Sequence, residues 1–202
     1  MISKLRPTVG RFLSENPARL MAALRITPNG LTLIGLAFNI FTGWVLAMDF
    51  SHHLLIGGIL VLFSGWFDML DGALARLTDS ITRFGGMLDS TVDRLSEAAL
   101  FLGLIIFFAN RGDTLEVALI FAAVVGSMMV SYTRAKAEGM GFKGEIGIFA
   151  RPERLVLLTL GLFLSEASLT ALVVVLWILA VGANMTAMRR LFYVWQQSKT
   201  DM

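Results

Sequence analysis

Six apolar stretches separated by short polar breaks dominate this chain of 202 residues, near 31–49, 53–77, 82–109, 115–138, 152–166 and 168–195. Each offers a core suited to the roughly 20 residues that a helix needs to cross the ~30 Å of bilayer hydrocarbon. A soluble domain is usually about 45–50% apolar. Here 56% of residues are hydrophobic and the mean hydropathy is +0.73. The fold class expected is therefore an all-α integral membrane protein with six transmembrane helices. Cysteine is absent, which excludes disulfides and thiolate zinc sites. No cleavable signal peptide, internal repeat or dividing linker is visible, so one membrane domain over 29–202 is expected.

Residues 1–28 read differently. Lys4, Arg6, Arg11, Arg19 and Arg25 alternate with Leu5, Phe12, Leu13, Leu20, Met21 and Leu24. Such a pattern predicts an amphipathic juxtamembrane helix on an anionic membrane surface. Thr27, Pro28 and Asn29 then break it and can start a new helix.

Lys and Arg set the orientation. They collect in the N-terminal arm, at Arg76 and Arg83, at Arg134, Lys136, Lys143, Arg151 and Arg154, and at Arg189, Arg190 and Lys199. The alternate connections hold none between Asp49 and His53, only Arg111 beside Asp113 and Glu116, and only Glu166. Both termini are expected in the cytoplasm. His52 and His53 fall on the far side and read as interfacial residues.

Acidic residues carry the chemistry. Asp68 and Asp71 stand at i,i+3 near the end of the second stretch, followed by Gly72 and Arg76. That spacing puts them on one broad helix face. Asp89 and Asp93, at i,i+4, open the third. A short connection makes the two helices antiparallel neighbours, so four carboxylates can converge at the cytoplasmic interface. Like charges so close demand a counter-charge. A divalent cation with oxygen ligands supplies one: Mg²⁺, Mn²⁺ or Ca²⁺. Four carboxylates suit two ions. Gly72 allows a ligand close to the backbone, and Arg76 is a natural phosphate clamp. A cation transporter would instead spread its acids through the membrane depth. Here they are confined to one end.

The run from Asp68 through Asp71, Gly72, Ala75 and Arg76, then Gly85, Asp89 and Asp93, resembles the signature of the CDP-alcohol phosphotransferases. That resemblance implies transfer of a phosphatidyl group from CDP-diacylglycerol to an alcohol, with release of CMP. It implies that Asp68, Asp71, Asp89 and Asp93 hold metal, expected as two Mg²⁺ (or Mn²⁺) ions, and that Asp93 is also the general base. Asn29, Gly30, Leu31, Thr32, Asp68, Gly72, Arg76 and Thr82 would contact the CDP-lipid. It further implies a homodimer in the plasma membrane with a cytoplasmic active site. No nucleic-acid partner is expected.

A second, basic group comprises Arg134, Lys136, Arg151, Arg154 and Arg190, with Ser131 beside them. Cations on the same face as the acids suit an acceptor that carries phosphate. The segments around Ser131, Arg151 and Arg190 are similar to those of prokaryotic phosphatidylinositol phosphate synthases. There they imply a pocket for inositol 1-phosphate. Glycerol 3-phosphate, the acceptor of phosphatidylglycerophosphate synthases, is the alternative.

Overall fold

A computed structural model describes residues 16–142, 147 and 149–200. Their regular elements are all helices, with no strand among them. Helix α1 covers 16–23. It is followed by α2 (Pro28–Ala47), α3 (His53–Leu77), α4 (Arg83–Arg111), α5 (Thr114–Gly139), α6 (Arg151–Leu164) and α7 (Leu169–Thr200). All six expected stretches are helices. The first fifteen residues of the expected N-terminal helix lie outside the described ones.

Local sequence sets the helix ends. Thr27 caps α2: its Oγ1 accepts the Gly30 N–H at 3.1 Å, with Pro28 at the first helical position. Thr82 caps α4 likewise, accepting the Gly85 N–H at 2.9 Å. At the other ends, α1, α3, α4 and α5 stop on a left-handed residue followed by an i→i−5 bond. These bonds run from Ile26 N to Met21 O, Ser80 N to Ala75 O, Asp113 N to Phe108 O, and Phe142 N to Ala137 O. The left-handed residue is Gly112 for α4 and Gly141 for α5, as the motif prefers. It is Arg25 (φ 57°) for α1 and Asp79 (φ 50°) for α3.

Among the described residues, four helices are long and apolar enough to cross a membrane: α2, α3, α5 and residues Leu169–Lys199 of α7. The chain is a multi-pass membrane protein. Charges interrupt the 29 residues of α4, where the acids sit. At 14 residues α6 is only about 21 Å long.

The described residues divide into two compact units, those up to Thr42 with Leu60–Leu100, and Gly43–Ile59 with those from Phe101 onward. In the first, α1 packs by Ala18 onto Leu31 of α2 and Leu70, Ala73 and Leu74 of α3, with Met21 and Ile26 at the margin. Leu20 and Leu24 stay exposed. Two buried hydrogen bonds tie α2 to α3: Thr32 to Asp71 at 2.8 Å, and Ser64 to Asn39 at 2.7 Å. Between them the Phe38 and Phe67 rings meet at 5.4 Å.

In the second unit α5 and α6 pack on α7. Small residues permit it. Gly126 faces Ala183 and Asn184, and Gly161 faces Leu172 and Val175. Asn184 Nδ2 donates to the Ala122 carbonyl at 2.9 Å. The described part of the α5–α6 connection rests on α7 through Phe149 over Gly182 and Gly147 against Thr186.

Candidate active site

In the first unit, the end of α3 and the starts of α2 and α4 enclose a cavity of about 330 Å³. Asp68, Asp71, Gly72, Ala75 and Arg76 line it from α3. Pro28, Asn29 and Thr32 line it from α2, and Thr82, Gly85, Gly86 and Asp89 from α4 and its cap. Ser80 and Ile81, in the α3–α4 turn, complete it.

The cavity is bipolar. On one side Asp71 is buried and accepts the Thr32 hydroxyl, and it lies within electrostatic reach of Asp89 and Asp68. On the other, two helices begin. Helix N-termini carry unsatisfied N–H groups and about half a positive charge each, which favours anions. Both caps come from the helix's own threonine, so each start is fixed before any ligand arrives. Gly85 keeps the α4 start close to α2: a Cβ there would stand 3.3 Å from Asn29 Oδ1. Gly72 leaves the Arg76 guanidinium lying along the helix, 3.4 Å from where a Cβ would be. An acidic wall facing two positive helix ends and an arginine suits a diphosphate bridged by a cation.

Most of the expected first-unit residues line this cavity. Three do not. Leu31 points into the apolar cluster with Ala18, Leu70, Ala73 and Leu74. The Gly30 N–H is taken by the Thr27 cap. Asp93, one turn further along α4 than Asp89, is half-buried and does not line the cavity. Sequence reasoning missed Ser80, Ile81 and Gly86. The signal for Ser80 and Ile81 is their place in the turn that must join the two acidic helices; Gly86 lies in the first turn of α4, beside Gly85 of the motif.

Among the described residues, no three acidic or histidine side chains already form a closed metal site. The donor chemistry nevertheless fits a hard divalent ion: three carboxylates line one cavity, and one of them is buried beside the other two. Glu97, a turn deeper on α4 than Asp93, is buried as well.

The basic residues belong to the second unit. Arg134 is exposed and its Nε pairs with Glu138 Oε1 at 2.8 Å. Lys136 lines a largely apolar groove of about 340 Å³ between α5 and α7, with Tyr132, Trp195 and Arg190. Arg190 is buried, and its Nη1 donates to the Val130 carbonyl at 2.5 Å. Arg154 is buried too, donating to the Phe149 carbonyl at 2.8 Å. Ser131 and Arg151 are half-buried. Two expected phosphate ligands are thus also structural ties. His52 Nδ1 meets Glu166 Oε2 at 2.6 Å, and His53 Nδ1 meets the Phe50 carbonyl at 2.8 Å.

The cavity and the acid spacing define a class, and comparison with known proteins agrees. The chain belongs to the CDP-alcohol phosphatidyltransferase family, a family of transferases, whose profile matches residues 25–195. The phosphatidylinositol phosphate synthase of Mycobacterium marinum is 39% identical over 186 residues, covering 89% of this chain and 79% of that protein. The archaetidylinositol phosphate synthase of Pyrococcus horikoshii is 35% identical, over 95% of this chain and 98% of that one. The Mycobacterium tuberculosis phosphatidylinositol phosphate synthase, crystallised with CDP-DAG bound, superposes with a TM-score of 0.84. It is 35% identical and covers 90% of this chain and 92% of its own. The same protein has been crystallised with manganese and citrate.

Proposed function

We propose that this protein transfers the phosphatidyl group of CDP-diacylglycerol to inositol 1-phosphate, giving phosphatidylinositol phosphate and CMP. The observation that carries this reading is the bipolar cavity, in a chain that resembles an enzyme crystallised with CDP-DAG bound. The acceptor hydroxyl oxygen forms a bond to the phosphorus bearing the diacylglycerol. The bond from that phosphorus to the CMP oxygen breaks, and its electron pair leaves with CMP. The hydroxyl proton passes to Asp93, the general base.

Asp68, Asp71, Asp89 and Asp93 would hold two divalent ions, Mg²⁺ or Mn²⁺. When bound, the ions screen the diphosphate and stabilise the leaving oxygen. Gly72 lets the nucleotide approach α3, and Arg76 clamps its phosphate. Asn29 and Thr82 present the α2 and α4 starts to the same anion. Ser131, Arg134, Lys136, Arg151, Arg154 and Arg190 serve the acceptor's phosphate. The lipid tails enter from the bilayer that the helices cross.

The finer membrane reading is six spans, with α4 and α6 added to the four long apolar helices. Both termini and the active site face the cytoplasm at the plasma membrane; the alternation of Lys and Arg between connections supports this orientation. The working form is a homodimer.

The test is an acceptor panel. Purified protein with CDP-diacylglycerol and Mg²⁺ is incubated with inositol 1-phosphate, glycerol 3-phosphate, free inositol or serine, and CMP is measured. CMP with inositol 1-phosphate is expected. CMP with glycerol 3-phosphate alone would replace the acceptor, and no CMP with any of them would remove the transferase reading.

A further inference from the structure

We infer that Thr32 is a positioning residue for Asp71, holding one oxygen of that carboxylate so that the other faces the cation. The inference rests on the metal reading above and adds to it a residue that touches neither ion nor reacting atoms through this bond. Thr32 Oγ1 donates to Asp71 Oδ2 at 2.8 Å, and both residues are at least nine-tenths buried. The same hydroxyl lies 3.0 Å from the Pro28 carbonyl of its own helix. A hydroxyl has one proton for these two acceptors. The ionised one takes it, because a hydrogen bond to a charge is about twice as strong as a neutral one. Asp71 is thus turned by a residue 39 positions away in the chain.

Neighbouring contacts keep the tie in register. Seven residues further along α2, and seven back along α3, the buried Ser64–Asn39 bond repeats it. At one end the Thr27 cap fixes the first turn of α2, and Thr32 follows it five residues on, its hydroxyl against the Pro28 carbonyl of that same turn. The α2–α3 seam can neither slide nor rotate Asp71 away without breaking two buried bonds. Groups that orient a metal ligand commonly change metal affinity 10–100-fold when removed. Thr32 has the geometry of such a group.

The experiment reads Mn²⁺ binding by electron paramagnetic resonance on substrate-free protein in detergent, beside turnover and thermal unfolding. Thr32→Val keeps the shape and removes the hydroxyl. Mn²⁺ affinity is expected to fall about tenfold or more, while Thr32→Ser retains it. Should Thr32→Val fold poorly, Thr32→Ser and Thr32→Ala share the lost methyl and differ only in the hydroxyl. The serine variant is then expected to bind at least about tenfold tighter. A residue serving only the nucleotide would raise KM for CDP-diacylglycerol and leave Mn²⁺ binding without substrate unchanged. That result, or equal affinity in the serine and alanine variants, overturns the inference. If the wild-type protein binds no Mn²⁺, the metal reading itself fails and the inference falls with it.

Discussion

Ser64 donates its hydroxyl to Asn39 Oδ1 at 2.7 Å, and Asn39 passes its own Nδ2–H to the Gly35 carbonyl at 2.9 Å. Two polar side chains, each nearly inaccessible, thereby satisfy one another between apolar helices. Burying them unpaired would be costly, so the pair fixes which faces of α2 and α3 meet. Asp71 sits two turns along the same seam.

Ser64→Ala is expected to lower stability by about 1 kcal/mol, since hydrogen bonds between membrane helices average about 0.6 and reach about 1.7. The loss should appear as a lower unfolding temperature in detergent. A smaller drop in Mn²⁺ affinity than Thr32→Val gives is expected beside it, because the direct tie to Asp71 survives.

A second prediction concerns Gly103 of α4. A Cβ there would run into the Gly43 carbonyl, a backbone group with no side-chain freedom to move aside. Gly103→Ala should therefore separate the helices and cost about 1–3 kcal/mol. Gly65, in α3, has nothing within 4 Å of its Cβ position. Gly65→Ala should be neutral or gain up to about 1 kcal/mol from helix propensity. Equal unfolding temperatures for the two variants would show that α4 does not approach Gly43 this closely.

Much of this architecture is legible in the sequence because membrane helices announce themselves by length and apolarity. The Thr27–Pro28 and Thr82 starts follow from capping chemistry, and the acids from their i,i+3 and i,i+4 spacing. What could not be read is which way a side chain turns at a helix start. Leu31 was expected to meet the lipid substrate and packs instead under α1, because an apolar side chain beside a polar cavity goes to the nearest apolar cluster. The carbonyls taken by Arg154 and Arg190 were equally hidden. A guanidinium that must cross apolar surroundings satisfies the nearest backbone acceptor, and that partner depends on packing distant in sequence. The left-handed Asp79 was invisible too, since glycine is the usual signal at that position.

Asp93→Asn should abolish turnover and leave the fold intact. Asparagine keeps the size of the side chain and removes its basicity, and general-base catalysis contributes about 10²–10⁴ in rate. Turnover measured beside thermal unfolding separates the two effects. Near-normal turnover would take Asp93 out of the base role.

Chelation offers an independent check on the acidic wall. EDTA should stop CMP release, and either Mg²⁺ or Mn²⁺ in excess should restore it. In substrate-free protein, EDTA should also lower the unfolding temperature, because an ion bound only to the folded state stabilises it by mass action. Activity that survives exhaustive chelation would leave the four aspartates without a metal to hold.

The basic residues divide by burial, and this makes their roles separable. Arg134 is exposed and pairs with Glu138 one turn along its own helix, a type of contact worth only about 0.3–0.5 kcal/mol. Arg134→Ala should therefore leave the unfolding temperature almost unchanged while raising KM for the phosphorylated acceptor. Arg154 is buried and donates to the Phe149 carbonyl. Arg154→Ala deprives that carbonyl of a charged donor and should cost about 1–3 kcal/mol in stability as well as acceptor affinity. Inorganic phosphate should compete with the acceptor in the wild type and in Arg154→Lys, and more weakly in Arg134→Ala. If neither alanine variant moves the acceptor's KM and only Arg154→Ala unfolds early, the basic group is a structural feature of the second unit and the acceptor's phosphate is held elsewhere.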